Sequence, residues 1–464
     1  MILNNIGRVS IKSSDSKLVE GFNWAKRQAL EYVRVNDPVG PWYEAALPGR
    51  NAFCMRDVAH QSTGAQVLGL SLFNKNMLKK FAENISQSRD WCSYWEINKF
   101  DLPAPEDYKN DDDFWYNLPA NFDILDCCYR QYLWTGDLEY INDPIFLNFY
   151  EKTVKDYVKC WDVNGDGLLE YKGDFAYRGI PSYLEGQVGI NKIVSACDMI
   201  AAQYRGYLSY SKIQRLRGND SQAKEYEEKA DNIKHIFDTK WWNEHKHNYN
   251  TFILENGELC GGSKNELENN GDMVTTLHLY FGIVESKQRI NDSIKVLLSC
   301  KNINVETESH YPEVLYKYGF NKEAYDFIMD LVSPLKKRKE YPEVSYSVMN
   351  SVVTGIAGLK VDSTRRLIES TPRLTDEVQW IEISSIPVFN NEVSIKCLGN
   401  KEMIFTNNSG GTVYWRAAFK QEVSELLVDG VRVKAEKEEK NDGNKYSYVE
   451  IPVHENEQHV VRVF

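Results

Sequence analysis

At 464 residues the chain is too long for one small core; it fits one large domain with a smaller one, or three domains of ordinary size. Hydrophobic residues make up 42% and charged residues 26%, a globular composition, and the net charge of −12 argues against a nucleic-acid partner and disfavours an anionic membrane surface. Nine scattered cysteines without a CxxC pair give neither a disulfide framework nor a zinc site.

No charged-then-apolar leader opens the chain, and no apolar run is long enough to span a bilayer. A cytoplasmic location is expected; an exported chain with its leader removed would look the same. The 28 Tyr and 11 Trp suit either core packing or the walls of a sugar cleft.

In chain order, the first three-quarters reads as helices. Leu18, Phe22, Ala25, Ala29 and Tyr32 form one stripe in a helix over 15–35. Further helical windows fall at 57–72, 74–87, 119–136, 184–217, 220–240, 271–283, 286–299, 308–319, 321–333 and 345–358. Asp143–Pro144 opens another, with an acid at the N-cap and Pro at the first helical position. Three corners set a helix-ending glycine beside a helix-starting Asn or Asp: Gly136–Asp137, Gly218–Asn219–Asp220 and Gly319 with Asn321. Such corners join antiparallel helices, and roughly twelve helices in hairpins can close into an (α/α)6 barrel. Past about 362 the pattern alternates. "ELLVDGVRV" is a hairpin signal around Asp429–Gly430, and a small antiparallel β-sandwich is expected. The expected division is 1–362, helical, and 363–464, β.

The long interhelical stretches, 36–56, 88–118, 161–183, 241–270 and 334–344, are rich in Trp, Tyr, Asp and Glu, and they are where function is expected. "PWYEAALPGRNAFCMRDVAHQSTGA" sets Glu44, Arg50 and the pair Arg56–Asp57 among Trp42, Tyr43 and Phe53. An Arg beside a carboxylate can fork hydrogen bonds to adjacent hydroxyls of one sugar. Asp57 also suits a plain helix N-cap, and His60 reads as structural. In "WDVNGDGLLEYKGDFAYRG" the start of a calcium loop fails at the twelfth position, Gly173, so an Asx/Gly turn competes with a looser Ca2+ site. Its acids Asp166, Glu170 and Asp174 alternate with Tyr171, Phe175 and Tyr177, surroundings that can raise a carboxyl's pKa and make it a proton donor. Tyr-Pro-Glu recurs at 311–313 and 341–343, where helix-start chemistry alone would also favour the acids.

Glycosidic cleavage needs two carboxyl groups across the bond. Asp174 is the first candidate for the acid, with Glu170 and Asp166 behind it. Glu343 is the first candidate for the base, with Glu308 or Glu313 behind it. Trp42, Glu44, Arg50, Arg56, Asp57, His310 and Tyr311 are candidate substrate contacts; no cofactor or metal is expected.

On these residues the chain resembles the six-hairpin glycosidases, (α/α)6-barrel glycoside hydrolases that often carry a small β-sandwich. "FWYNLPANFDILDCCYRQYLWTGDLEYI" (114–141) is similar to their acidic, aromatic loop and "TGD" corner. "SYSVMNSVVTGIAGLKVD" (345–362) resembles the last barrel helix of the α-L-rhamnosidases, "DVNGDGLLEY" a loop of related glucosidases near their catalytic acid, and "CMRD" an Arg-Asp pair that holds the terminal sugar. The acidic catalytic signature of the α-L-rhamnosidases is not recognisable in the first half. The resemblance implies an exo-acting, inverting hydrolase of a terminal, rhamnoside-like sugar, working without a cofactor on a carbohydrate substrate. Two other classes stay open: an α/α-barrel lyase or sugar epimerase, with His310–Tyr311 as base, and a silent carbohydrate-binding protein.

Overall fold

The computed structural model describes residues 6–173, 178–184, 193–261, 271–301, 303–440 and 442–464. Twelve helices of about two turns or more run through the first 350 residues described, leaving aside single-turn segments. They are α1 (Ser16–Glu31), α2 (Met55–Val67), α3 (Ser71–Glu83), α4 (Ala120–Thr135), α5 (Pro144–Lys152), α6 (Cys197–Leu216), α7 (Asp220–Ile236), α8 (Gly271–Phe281), α9 (Lys287–Ser299), α10 (Tyr311–Lys317), α11 (Asn321–Leu331) and α12 (Pro342–Asn350). Wider π turns extend α5, α7 and α12.

Local chemistry sets the helix ends. Asp15 caps α1 by accepting from the backbone N–H groups of Lys17 and Leu18, and the stripe Leu18, Phe22, Ala25 and Ala29 is buried. Asp143 caps α5 with Pro144 behind it. Gly136, Gly218 and Gly319 all take left-handed φ, from 68° to 84°, which ends one helix and turns the chain into the next. The expected helix at 184–217 is shorter: Ile193–Ala196 is a strand, and α6 begins only at Cys197.

The packing order is cyclic. The even-numbered helices neighbour one another in turn, α2 on α4, α4 on α6, α6 on α8, α8 on α10, and α10 on α12 and its π extension, while α12 packs back on α2. The odd-numbered helices α1, α3, α7, α9 and α11 each pack on an even-numbered helix next to them in this cycle, while α5 packs on α3. Gly64 lets α2 approach α12 closely: a Cβ there would lie 2.1 Å from the carbonyl oxygen of Tyr346. Among the described residues no helix is long and apolar enough to cross a membrane.

Two sheets make the β part. Beside β1 (Ser10–Ser13) its strands are β2 (Lys360–Asp362), β3 (Leu367–Ser370), β4 (Trp380–Val388), β5 (Asn391–Leu398), β6 (Glu402–Ser409), β7 (Val413–Phe419), β8 (Glu425–Val428), β9 (Val431–Lys434), β10 (Glu436–Glu439), β11 (Lys445–Val453) and β12 (Glu457–Arg462). The larger sheet has the order β1-β4-β5-β6-β12-β8-β9, the smaller β2-β3-β7-β11-β10. One pair, β3 with β7, is parallel, which departs from the all-antiparallel expectation. The sheets face each other through Phe405, stacked on Trp415 at 5.1 Å, and through the Ser370 hydroxyl, which donates to Met403 Sδ at 3.3 Å. The hairpin β8–β9 turns at Asp429 and Gly430, both with positive φ, as a type I′ turn requires. β1 pairs with β4 in the register Ser10↔Ser384, so the larger sheet takes a strand from the opposite end of the chain.

Candidate active site

Five acidic or imidazole side chains sit at the N-terminal ends of even-numbered helices: Asp57 in the first turn of α2, Asp123 in that of α4, Asp198 in that of α6, His310 at the cap of α10, and Glu343 in the first turn of α12. Helix N-termini carry partial positive charge and favour carboxylates nearby. One helical periodicity serves two purposes on α2, since Arg56 and Asp57 are followed by His60 one turn on.

Four of these residues, with Arg56 and His60, form one cluster. Asp57 accepts from the Tyr341 hydroxyl at 2.9 Å and lies 3.7 Å from Arg56 Nη2. The Arg56 guanidinium stands over the rings of Trp95 and Tyr183, 5.9 and 5.7 Å from their centroids. His60 Nδ1 is 2.7 Å from His310 Nε2, with the two rings perpendicular. On its other side His60 Nε2 is 2.8 Å from Asp123 Oδ2, off the ideal hydrogen-bond line. Asp123 also accepts from the Tyr183 hydroxyl at 3.0 Å. Tyr280 packs edge-on against both imidazoles. Asp198 holds the segment that carries Tyr183 by accepting from its backbone N–H and from the Ser182 hydroxyl.

Glu343 is 3% exposed and its carboxyl lies against that of Asp57. Burial, and then the charge of Asp57, pushes its pKa well above the ordinary carboxylate value. With the two carboxyls in contact, it is Glu343 whose charged form is disfavoured. Burial, and then His60, holds the His310 pKa well below the usual imidazole range, so His310 is neutral. Beside the cluster, Glu96 pairs with Arg50 at 2.9 Å, yet burial and then Asp107 push its pKa up to about 9.

The expected site residues separate accordingly. Arg56, Asp57, His310 and Glu343 come together. Arg50 sits beside them through Glu96. Trp42 packs on Phe53 and gives its N–H to Asp37, while Glu44 is bonded to the backbone of Asn51. Tyr311 is wedged edge-on against Phe327 of α11. These three are placed in the packing of the loop and of the helix pair, not in the cluster. Asp174 lies outside the described residues. Of the reserve acids, Glu308 pairs with Lys336, Glu313 accepts from Asn350, and Glu170 accepts from the backbone of Val163 and Asn164. Asp162 accepts from the N–H groups of Gly165, Asp166 and Gly167, so this stretch is a set of Asx turns. His60, read as structural from sequence, is at the centre of the cluster, and Trp95, Asp123, Tyr183 and Tyr280 join it without a sequence signal beyond the placement of acids at helix starts.

At the other end of the even-numbered helices a cavity of about 580 Å³ opens toward the β strands, with Asp126, Arg130, Arg205, Lys317, Arg373 and Tyr446 among its lining. Asp126 there is gripped by Arg130 and Arg205 at 2.8 Å each, while Lys317 and Arg373 donate to backbone carbonyls.

No family profile matches the chain, and no curated protein sequence matches it either. Solved structures do. An α-L-rhamnosidase from Dictyoglumus thermophilum is 15% identical with a TM-score of 0.64 over 98% of this chain and 50% of that one. A GH78-family rhamnosidase of Bacillus sp. GL1 is 12% identical with a TM-score of 0.61 over 84% of this chain and 40% of that one. An α-L-rhamnosidase of Streptomyces avermitilis is 13% identical with a TM-score of 0.58 over 98% of this chain and 42% of that one. The chain thus spans half or less of the length of the rhamnosidases it matches. In fold, the chain is like the six-hairpin glycosidases, with α-L-rhamnosidases among its structural relatives.

Proposed function

We propose that the chain is a glycoside hydrolase built on a closed (α/α)6 barrel, exo-acting and inverting, which removes a terminal sugar of the α-L-rhamnoside type. The helical unit 1–362 would carry the chemistry and the β unit 363–464 would support it. The observation that carries this reading is the meeting of Arg56, Asp57 and Glu343 at the N-terminal end of α2 and α12 in a rhamnosidase-like fold. Arg56 and Asp57 would fork hydrogen bonds to adjacent hydroxyls of the sugar, with Trp95 and Tyr183 as apolar walls. Glu343 supplies one of the two carboxyl groups that cleavage needs, and Asp174 the other. Sequence reasoning gives the donor role to Asp174 and the base role to Glu343. The raised pKa of Glu343, from burial and then Asp57, favours the reverse assignment in the resting site.

Proton abstraction by a lyase or epimerase fits less well. The two imidazoles bond to each other and do not flank a space between them. Screening aryl glycosides, the α-L-rhamnoside first, with product analysis separates the classes. A free reducing sugar supports the proposal. An unsaturated product absorbing in the near ultraviolet supports a lyase, and saturable binding without turnover supports a silent binder.

A further inference from the structure

We propose that His60, His310 and Glu343 bind a divalent transition-metal ion, zinc being the best match, through His60 Nδ1, His310 Nε2 and a Glu343 oxygen. One donor atom from each lies within 4.8 Å of the others, and the three come from α2, the cap of α10 and the first turn of α12. Two imidazoles and a carboxylate, with room for a fourth ligand from solvent or substrate, is a zinc-type donor set.

The hydrogen bonds around the rings carry the argument. His310 Nδ1 is 2.9 Å from the carbonyl oxygen of Glu306, which can only accept, so this nitrogen holds the hydrogen and Nε2 keeps the lone pair. His60 Nε2 lies 2.8 Å from Asp123 Oδ2 but off the hydrogen-bond line, and His60 Nδ1 is the ring nitrogen that faces His310. The two facing nitrogens are 2.7 Å apart and share one hydrogen, which an ion that binds both would displace. That hydrogen serves the two nitrogens alone; an ion held to one side of their line, by roughly an ångström or more at metal–nitrogen bond lengths, would also serve Glu343, whose two buried oxygens find no donor. The hydrogen bond from His310 Nδ1 to the Glu306 carbonyl is the kind that orients a metal-bound histidine, and Asp123 stands 2.8 Å from the outer nitrogen of His60. Metal–nitrogen bonds of about 2.0–2.1 Å at a tetrahedral angle ask the two nitrogens to part by roughly 0.6 Å on loading. Arg56 is the one nearby cation in the described cluster, and it is opposed by Asp57 at 3.7 Å.

The test reads metal uptake and not sugar turnover, so it stands or falls separately from the hydrolase reading. The whole protein is stripped with a chelator, dialysed, and titrated with ZnCl2 by calorimetry and with CoCl2 by visible absorption. The expected result is one ion per chain, with the ligand-field bands of a low-coordinate nitrogen/oxygen Co2+ site. His310→Ala and Glu343→Gln should abolish that uptake, and Asp123→Asn should weaken it by roughly 10–100-fold. Replacing His245 and His247, exposed histidines elsewhere, should leave it unchanged. Circular dichroism shows whether each variant folds. If His310→Ala does not, Asp123→Asn and the milder His310→Gln carry the test. No uptake by the wild type, or wild-type uptake by folded His310 and Glu343 variants, overturns the proposal.

Discussion

Replacing Gly64 by Ala should loosen the protein, against the usual trend. In a helix interior Gly→Ala normally gains about 1 kcal/mol, because alanine restricts the unfolded chain and suits the helix. Here the new Cβ would lie 2.1 Å from the carbonyl oxygen of Tyr346, 2.7 Å from its carbonyl carbon and 2.9 Å from its Cα, where ordinary contact begins near 3.4 Å. All three atoms are backbone, so no side chain can swing away, and α2 and α12 must part by about an ångström. Overpacking of this kind costs about 1–3 kcal/mol, and a helix backbone yields less readily than a side chain. A net loss of roughly 2 kcal/mol is expected in urea denaturation of Gly64→Ala against wild type. The same shift would move Asp57 relative to Glu343, and a misplacement of about 1 Å can cost about 100-fold in turnover. A Gly64→Ala protein as stable as wild type, or more so, would show that α2 and α12 do not approach as described.

Other outcomes follow from single groups. Burial raises Asp198 from the usual 3.8 to about 6, although the Tyr183 N–H and the Ser182 hydroxyl bond to it. The folded state therefore disfavours its charged form, and its contribution to stability is greatest below the unfolded pKa and is lost as pH rises through 6. A shift of this size corresponds to up to about 3 kcal/mol. Asp198→Asn should gain on wild type by that order between pH 4 and pH 7.5 in urea midpoints; a pH-independent difference would refute the assignment. Asp15→Ala removes the cap of α1 and should cost about 1 kcal/mol, checked by chemical denaturation.

Sequence reading reached what short-range chemistry encodes. The glycines at 136, 218 and 319, the cap at Asp143–Pro144, the stripe of α1 and the Asp429–Gly430 turn each rest on a few adjacent residues, and each has the backbone its residue types require. What escaped depends on distant partners. Ser10–Ser13 carries too few residues to announce a strand, and its partner lies at 381–384. Ile193–Ala196 pairs with Phe252–Leu254, which overrides the helical pattern around it. His60 acquires its meaning from His310, 250 residues away, and from Asp123 on the neighbouring helix. Tyr341-Pro-Glu343 could be read as a helix start and is one. Its further significance comes from the close approach of α12 to α2, which one sequence without its fold does not reveal.

The central claim is that the carboxyl of Glu343, held against Asp57, takes part directly in breaking a glycosidic bond. Single-turnover and steady-state rates of Glu343→Gln on the best aryl glycoside, with folding checked by circular dichroism, test it most directly. A fall in kcat of about 10²–10⁴-fold with the fold intact is predicted. A folded Glu343→Gln protein that releases sugar at the wild-type rate would contradict it.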